Sequence, residues 1–223
     1  MWLLRFFVSV AALCGSTAQA ASILQVGDVL RVADGPGSIA GEYIVTVNDT
    51  PSSAFITFCL QRTQFIDFTH QFWIDGISTY AKTDAPLYGG DAQGRDPLSQ
   101  QTAYLYTQFT AGTLAGYDYF GANRPASADQ LQSAIWMFED ELTLDAANPF
   151  VTLANLAVNS GLWSGLGQVR ALNLSNYGTE AQDQLALIPP LIPQVTTPEP
   201  TSMLLLGTGL LGAAALKRLR RTH

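Results

Sequence analysis

The chain changes its hydrophobic periodicity twice, and this change constrains its fold more than any other feature. Apolar and polar residues alternate, as in β-strands, up to residue 74 and again from residue 169. Between these regions the apolar residues recur every three to four positions, which is typical of amphipathic helices. Strands at both ends of a domain with helices between them indicate the α+β class. We therefore expect a β-sandwich or a barrel-like sheet that carries a helical insertion.

The same pattern sets the bounds of individual elements. Strands are predicted at residues 23–32, 42–47, 54–61, 69–74, 169–174 and 184–188, and helices at 99–109, 126–142 and 150–158. Ser127 with Gln130 has the spacing of a capping box, which makes Ser127 the predicted N-cap of the second helix. The apolar stripe of that helix comprises Ala128, Leu131, Ala134, Ile135, Phe138 and Leu142.

The first 20 residues have the pattern of a secretory signal peptide. Arg5 lies in a short leading region, residues 6–13 are apolar, and Ala18 and Ala20 supply the small residues of a cleavage site. Cys14 follows a leucine and not a small residue, which argues against a lipoprotein signal. We expect signal peptidase to cut after Ala20 and the chain to cross the inner membrane.

The last 26 residues join Pro198-Glu199-Pro200 to a 14-residue apolar run and a basic cluster at 217–221. A helix over that run covers about 21 Å, which is short against a hydrocarbon core of about 30 Å. The basic cluster favours the cytoplasmic side of a membrane. An ordinary tail anchor is one interpretation of such a segment. A signal that is recognised and then cut is the other.

This tail closely resembles the PEP-CTERM signal, which membrane-embedded exosortases process in Gram-negative bacteria that make exopolysaccharide. The resemblance implies a transient membrane anchor, cleavage by exosortase, and a final location at the cell surface or in the extracellular matrix. It also makes exopolysaccharide a candidate partner. The predicted organisation is a signal peptide at 1–20, a globular domain at 21–188, a Pro-rich linker with the PEP motif at 189–200, and a sorting helix with a basic tail at 201–223.

The charge of the exported part excludes some classes of partner. Residues 21–197 contain 17 acidic and 6 basic residues, a net charge of −11. Nucleic acids require clusters of Lys and Arg, so no nucleic-acid partner is expected. Only one histidine, His70, and one cysteine, Cys59, remain in this part. They are too few for an ordinary zinc site, and we expect neither a metal nor another cofactor.

Cys59 is a lone cysteine in a chain that enters an oxidising compartment, where free thiols pair or oxidise. Three explanations remain open: the thiol is buried and inert, it pairs between molecules, or it is consumed in another covalent bond. The alternating pattern of residues 55–60 predicts that Cys59 lies on a strand. Burial as a small apolar residue is common for free cysteine.

Two motifs resemble the Cys–Gln thioester domain of bacterial surface proteins: Phe58-Cys59 on a strand, and residues 131–136, Leu-Gln-Ser-Ala-Ile-Trp, on a helix. The family carries an aromatic-Cys motif and, later, a motif of the Thr-Gln-x-Ala-Ile-Trp type. The resemblance runs loosely over residues 21–188 and departs from the pattern at Leu131, where the family has Thr. It implies that Cys59 is the thiol and Gln132 the acyl donor. The packing residues that it implies are Phe58, Ala134, Ile135 and Trp136.

Such a thioester would transfer the Gln132 acyl group to an amine or hydroxyl on an unknown surface or matrix partner. Each molecule would react once, so the resemblance implies a covalent adhesin and not an enzyme. The alternative is a non-covalent structural or glycan-associated matrix protein of the same fold, with an inert Cys59. In that case Trp73 and Trp163 are candidates for stacking on sugars.

Other combinations are weaker. Cys59 with His70 could form a Cys–His dyad, although no orienting third group is identifiable. Residues 91–96 hold Asp, Gln and Asp around Gly94 but miss the spacing of a calcium-binding EF-hand loop. The acidic run at 139–141 is predicted either to pair with an arginine such as Arg170 or to be solvated.

Overall fold

A computed structural model describes residues 24–39, 41–82 and 90–189. The predicted signal peptide with Ala18 and Ala20, and the sorting segment from residue 190 onward, lie outside the described residues. Among the residues that are described, no helix is long and apolar enough to cross a membrane.

The described part contains eight strands and three helices. The strands are β1 Val29–Asp34, β2 Tyr43–Val47, β3 Thr50–Thr57, β4 Gln71–Ser78, β5 Tyr80–Lys82, β6 Arg95–Pro97, β7 Val169–Asn176 and β8 Thr179–Leu187. The helices are α1 Gln100–Thr110, α2 Arg124–Phe138 and α3 Pro149–Asn159. All three helices lie between β6 and β7, so the helical insertion is where the change of periodicity predicts it.

The main sheet has six strands in the order β3-β2-β1-β4-β7-β8, and every neighbouring pair is antiparallel. Strands β5 and β6 form a separate two-stranded sheet. The α+β class is therefore confirmed. The sheet does not close into a barrel, and the prediction of a sandwich is not confirmed.

The segment after β3 leaves strand β2 and runs beside β8. The β2–β3 pairing ends at Thr57, and the backbone N–H of Leu185 then donates to Phe58 O at 3.1 Å. Leu60 N–H donates to Asp183 O at 3.0 Å, and Cys59 forms an isolated bridge with Gln184. Cys59 thus lies just beyond the strand on which it was predicted, because the chain changes its pairing partner there.

Helix α2 starts earlier than the capping box predicts. It begins at Arg124 after Asn123, whose side chain makes no cap hydrogen bond, and Pro125 lies in its first turn. Proline suits this position because the first backbone N–H groups of a helix have no acceptor within the helix. The prediction of Ser127 as N-cap is therefore wrong: Ser127 lies inside the helix, and its hydroxyl accepts from Asp118 N–H at 3.1 Å.

Two apolar clusters form the core, and the site residues divide between them. Phe58 belongs to the cluster between helices and sheet, together with Leu131 and Ile135 of α2. Cys59 and Trp136 belong to the other cluster, which is formed mainly by residues of the sheet. Successive residues of an extended chain point to opposite sides, which explains why Phe58 and Cys59 separate in this way.

Candidate functional site

Cys59 and Gln132 lie against each other, and both are fully buried. The Cys59 Sγ is 3.3 Å from Gln132 Oε1, and the backbone N–H of Cys59 donates to the same oxygen at 3.1 Å. Gln132 Nε2 donates in turn to the carbonyl oxygen of Cys59 at 2.8 Å. The structure thus brings together two predicted site residues that are 73 positions apart. Their chemical role stays a prediction.

Secondary structure holds both partners in place. Gln132 lies in the middle of α2, beside the fully buried Leu131. The neighbours of Cys59 on either side, Phe58 and Leu60, are both hydrogen-bonded to the backbone of β8. A buried amide needs hydrogen-bond partners. Cys59 provides them with its backbone and thiol, so the orientation of the Gln132 carbonyl toward the sulfur is fixed.

The Cys59 thiol is neutral at neutral pH. Burial raises its pKa well above the usual range, and the charge on Glu141 adds to this rise. The backbone N–H of Cys59 and the indole of Trp136 oppose the increase in the pKa, but only in part. Because the thiolate is the reactive form of cysteine, the sulfur at rest is protected against oxidation and other side reactions.

Trp136 lies one helical turn after Gln132 on α2 and is only 6% exposed. Its indole Nε1 is buried and has no hydrogen-bond acceptor among the described residues. The other packing residues that the resemblance implies, Phe58, Ala134 and Ile135, are all fully buried. Phe58 packs edge-on against Phe109 of α1, with ring centroids 5.0 Å apart.

The loop between β1 and β2 lies over the Gln132 amide. Gly41 in this loop has φ +73°, and a Cβ atom there would lie 2.8 Å from both Gln132 Oε1 and a ring carbon of Phe58. Contacts of that length do not occur between real side chains, so only glycine fits this position. The loop backbone therefore closes the site directly above the carbonyl oxygen.

Two polar contacts fasten this loop to α2. Asp129 accepts hydrogen bonds from the backbone N–H groups of Ser38 at 2.6 Å and Ile39 at 3.1 Å, and also from the Ser38 hydroxyl. Glu42, which is fully buried, pairs with Arg124 through two hydrogen bonds of 2.5 and 2.9 Å. Sequence reasoning missed both contacts because each joins residues more than 80 positions apart.

The weaker predicted combinations do not assemble. His70 is exposed, and its Nδ1 lies 2.6 Å from Asp67 Oδ2, whereas the thiol of Cys59 contacts Gln132. The Asp91 carboxylate accepts from the backbone of its own turn and pairs with Arg95 at 2.8 Å. Within the described residues, no group of three or more His, Cys, Asp or Glu side chains could hold a metal ion.

The acidic run at 139–141 differs from the prediction of a solvated or arginine-paired segment. Glu139 accepts from the backbone N–H and the hydroxyl of Ser99 at 3.2 and 2.8 Å, and Glu141 accepts from Arg62 N–H at 3.0 Å. Both carboxylates are buried, and burial raises the pKa of Glu139 to about 7. The physical reason is that α2 ends at Phe138, so the run leaves the helix surface: Glu139 and Glu141 turn inward, and Asp140 between them is exposed. Arg170 instead donates to backbone carbonyls near its own position.

A second surface feature pairs two aromatic rings. Trp73 and Tyr177 have ring centroids 5.0 Å apart, and Tyr177 is 82% exposed at the turn between β7 and β8. They line a shallow pocket of about 420 Å³ together with Asp75 and Ser175. Trp163, the other predicted sugar-stacking residue, packs instead against Tyr104, with ring centroids 5.8 Å apart.

Comparison with known proteins identifies the C-terminal segment. A family model described as the PEP-CTERM protein-sorting motif matches residues 196–221, which include Pro198, Glu199 and Pro200. The predicted sorting motif is thus confirmed, and it implies an exported protein that exosortase processes and that reaches the cell surface or extracellular space. No curated protein and no solved structure matched the chain. The function of the globular domain must therefore be argued from its own site.

Proposed function

We propose that this exported, exosortase-sorted protein is a covalent adhesin in which Cys59 and Gln132 form an internal thioester. The observation that carries the proposal is the 3.3 Å separation of Cys59 Sγ from Gln132 Oε1 in a fully buried pair. The acyl group would pass to an amine or hydroxyl on a surface or matrix partner. Each molecule would react once, so the protein is not a turnover enzyme.

The contacts of the pair suit thioester formation. The sulfur attacks the carboxamide carbon of Gln132, and Oε1 acquires negative charge that the Cys59 backbone N–H, 3.1 Å away, can stabilise. The carbon–nitrogen bond then breaks, and ammonia leaves with the proton of the thiol. The hydrogen bond from Nε2 to the Cys59 carbonyl orients this leaving group. Thiol and amide become thioester and ammonia, without an oxidant or cofactor.

Burial supports the second half of the proposal, the storage of a reactive bond. Cys59 and Gln132 are both inaccessible to water, and Gly41 closes the site above the carbonyl. A partner nucleophile that reaches the acyl carbon forms an amide or ester with Gln132 and releases the Cys59 thiol. The link is permanent, which suits attachment to a surface.

A second candidate function is a non-covalent matrix protein with an inert cysteine. The raised pKa of the buried Cys59 thiol favours it, because a neutral thiol is a poor nucleophile. The pair of half-buried Trp73 and exposed Tyr177, with Asp75 in the same pocket, has the aromatic face and polar edge that glycan stacking requires.

The intact mass of the protein without its signal peptide and sorting tail, residues 21–197, tests the proposal. We expect a mass lower than the calculated one by one ammonia, and uptake of one methylamine on incubation. Cys59→Ala and Gln132→Ala should abolish both effects. Gln130→Ala, which changes an exposed glutamine on the same helix, should keep them. An unmodified mass with a titratable thiol would exclude the thioester and leave the second candidate.

A further inference from the structure

We propose that the indole N–H of Trp136 is the hydrogen-bond donor that stabilises the Cys59 sulfur whenever it carries negative charge. The inference rests on the proposed thioester and gives Trp136 a chemical role beyond the packing of α2.

The first observation is an unpartnered donor. Trp136 is 6% exposed, and its Nε1 is buried with no acceptor among the described residues. A buried N–H that has lost water without gaining an acceptor is costly, and such groups are rare in folded proteins. An N–H that acquires its acceptor during a reaction would account for this one.

The second observation is the position of the indole. Trp136 follows Gln132 by four residues, so the two side chains lie on the same face of α2. Trp136 and Cys59 also share the apolar cluster of the sheet. The indole also opposes the rise in the pKa of the thiol, in agreement with this placement.

The third observation is how donors are distributed over the reacting atoms. Gln132 Oε1 already accepts the Cys59 backbone N–H at 3.1 Å and the thiol at 3.3 Å. The sulfur would need a donor of its own once it loses its proton. Trp136 packs in the same apolar cluster as Cys59, and its Nε1 is a buried donor without an acceptor among the described residues.

The chemistry makes that donor useful at two moments. When the thioester forms, the thiol loses its proton and the sulfur attacks the Gln132 carbon before ammonia departs. When a partner amine later attacks the same carbon, the carbon–sulfur bond breaks and the sulfur leaves with the electron pair, then takes the proton that the amine releases. A thiolate in an apolar interior is strongly disfavoured. A hydrogen bond that forms only as the charge appears lowers the barrier without stabilising the resting state.

Trp136→Phe separates this role from packing, because it keeps an aromatic ring and removes the N–H. We expect methylamine uptake by residues 21–197 to slow by about 10- to 100-fold, the range for a hydrogen bond to a charged group. The thermal unfolding midpoint should stay within a few degrees of the unmodified protein, since no ground-state hydrogen bond is lost. Trp163→Phe is the matched control, because the Trp163 indole donates to Gly165 O away from the site. Its uptake rate should be unchanged.

The outcomes are distinguishable. If the protein without substitutions shows its full calculated mass, with no loss of ammonia, the thioester is refuted, and this inference with it. If the thioester forms and Trp136→Phe takes up methylamine at the normal rate, the inference is wrong and the proposed function stands. If Trp136→Phe does not fold, benzothienylalanine at position 136 decides the question, because it keeps the shape of the indole and replaces N–H with sulfur. Slow uptake by that folded variant supports the role, and normal uptake refutes it.

Discussion

Asp129 on α2 holds Ser38 of the β1–β2 loop by two hydrogen bonds, one from the backbone N–H at 2.6 Å and one from the hydroxyl. This contact fixes the loop that lies over Gln132. Asp129→Ala should free the loop and let water reach the thioester more often. We expect hydrolysis, followed by mass spectrometry as the gain of one water, to rise by about tenfold or more. Gln130→Ala is the control, and an equal rate in the two variants would show that the loop does not limit access.

Gly41→Ala should prevent the thioester from forming. The added Cβ would lie 2.8 Å from Gln132 Oε1, and the φ of +73° is strained for alanine. Gly112 has almost the same φ, +71°, with nothing within 4 Å of its Cβ position. Gly112→Ala therefore reproduces the backbone strain, about 1–2 kcal/mol, without the clash. Intact mass should show the ammonia loss in Gly112→Ala and not in Gly41→Ala; a normal thioester in both would contradict the close approach of the loop.

Glu42→Gln should destabilise the domain much more than a surface change. Glu42 is fully buried and pairs with Arg124, and breaking such a pair costs about 3–5 kcal/mol. Asp49→Ala removes an ion pair to Arg31 that is more than half exposed, which is worth about 0–1 kcal/mol. Urea unfolding of both variants measures the difference in the free energy of unfolding. Equal losses would show that Glu42 contributes no more than a surface charge.

The stability of the domain should fall as the pH rises from 5 to 8. Burial raises the pKa of Asp183 to about 6, of Glu139 to about 7 and of Asp96 to about 8, from ordinary values of 3.8 or 4.5. In this window the folded state binds more protons than the unfolded state, so deprotonation favours unfolding. Urea unfolding at the two pH values should show a higher free energy of unfolding at pH 5.

Glu139→Gln tests how much of this pH dependence of stability comes from the Glu139 carboxyl. Its side-chain oxygen can still accept from Ser99, but it no longer titrates. We expect the pH dependence to shrink by on the order of 1–3 kcal/mol. Asp75→Asn, at an exposed position of β4 whose charge does not act on these three groups, should leave the dependence as it was. Identical curves for the two variants would mean that Glu139 is not protonated at neutral pH in the folded protein.

The order of strands and helices was predictable because periodicity reports which face of each element is buried. The apolar residues Ala128, Leu131, Ala134 and Ile135 of α2 are fully buried, as their spacing predicts. The three-residue strands β5 and β6 are too short to show a period. The sequence pattern places the start of α2 too late, because Pro125 in its first turn is a weaker signal than a capping box.

The pairing of Cys59 with Gln132 could not be read from spacing, since 73 residues separate them. The motif resemblance alone suggested it. The burial of Glu139 and Glu141 was missed for a related reason: the predicted helix ran to residue 142, and the real one ends at Phe138. Contacts such as that of Glu42 with Arg124 depend on tertiary folding, and no local sequence pattern predicts them.

The seclusion of Cys59 also bears on how the domain matures outside the cytoplasm. It is the single thiol in residues 21–197, and it is fully buried once the domain folds. The folded domain therefore offers no sulfur for exchange with glutathione or with disulfide-forming catalysts. Its folding needs no isomerase to sort alternative cross-links, and its native state should be the same in reducing and oxidising surroundings.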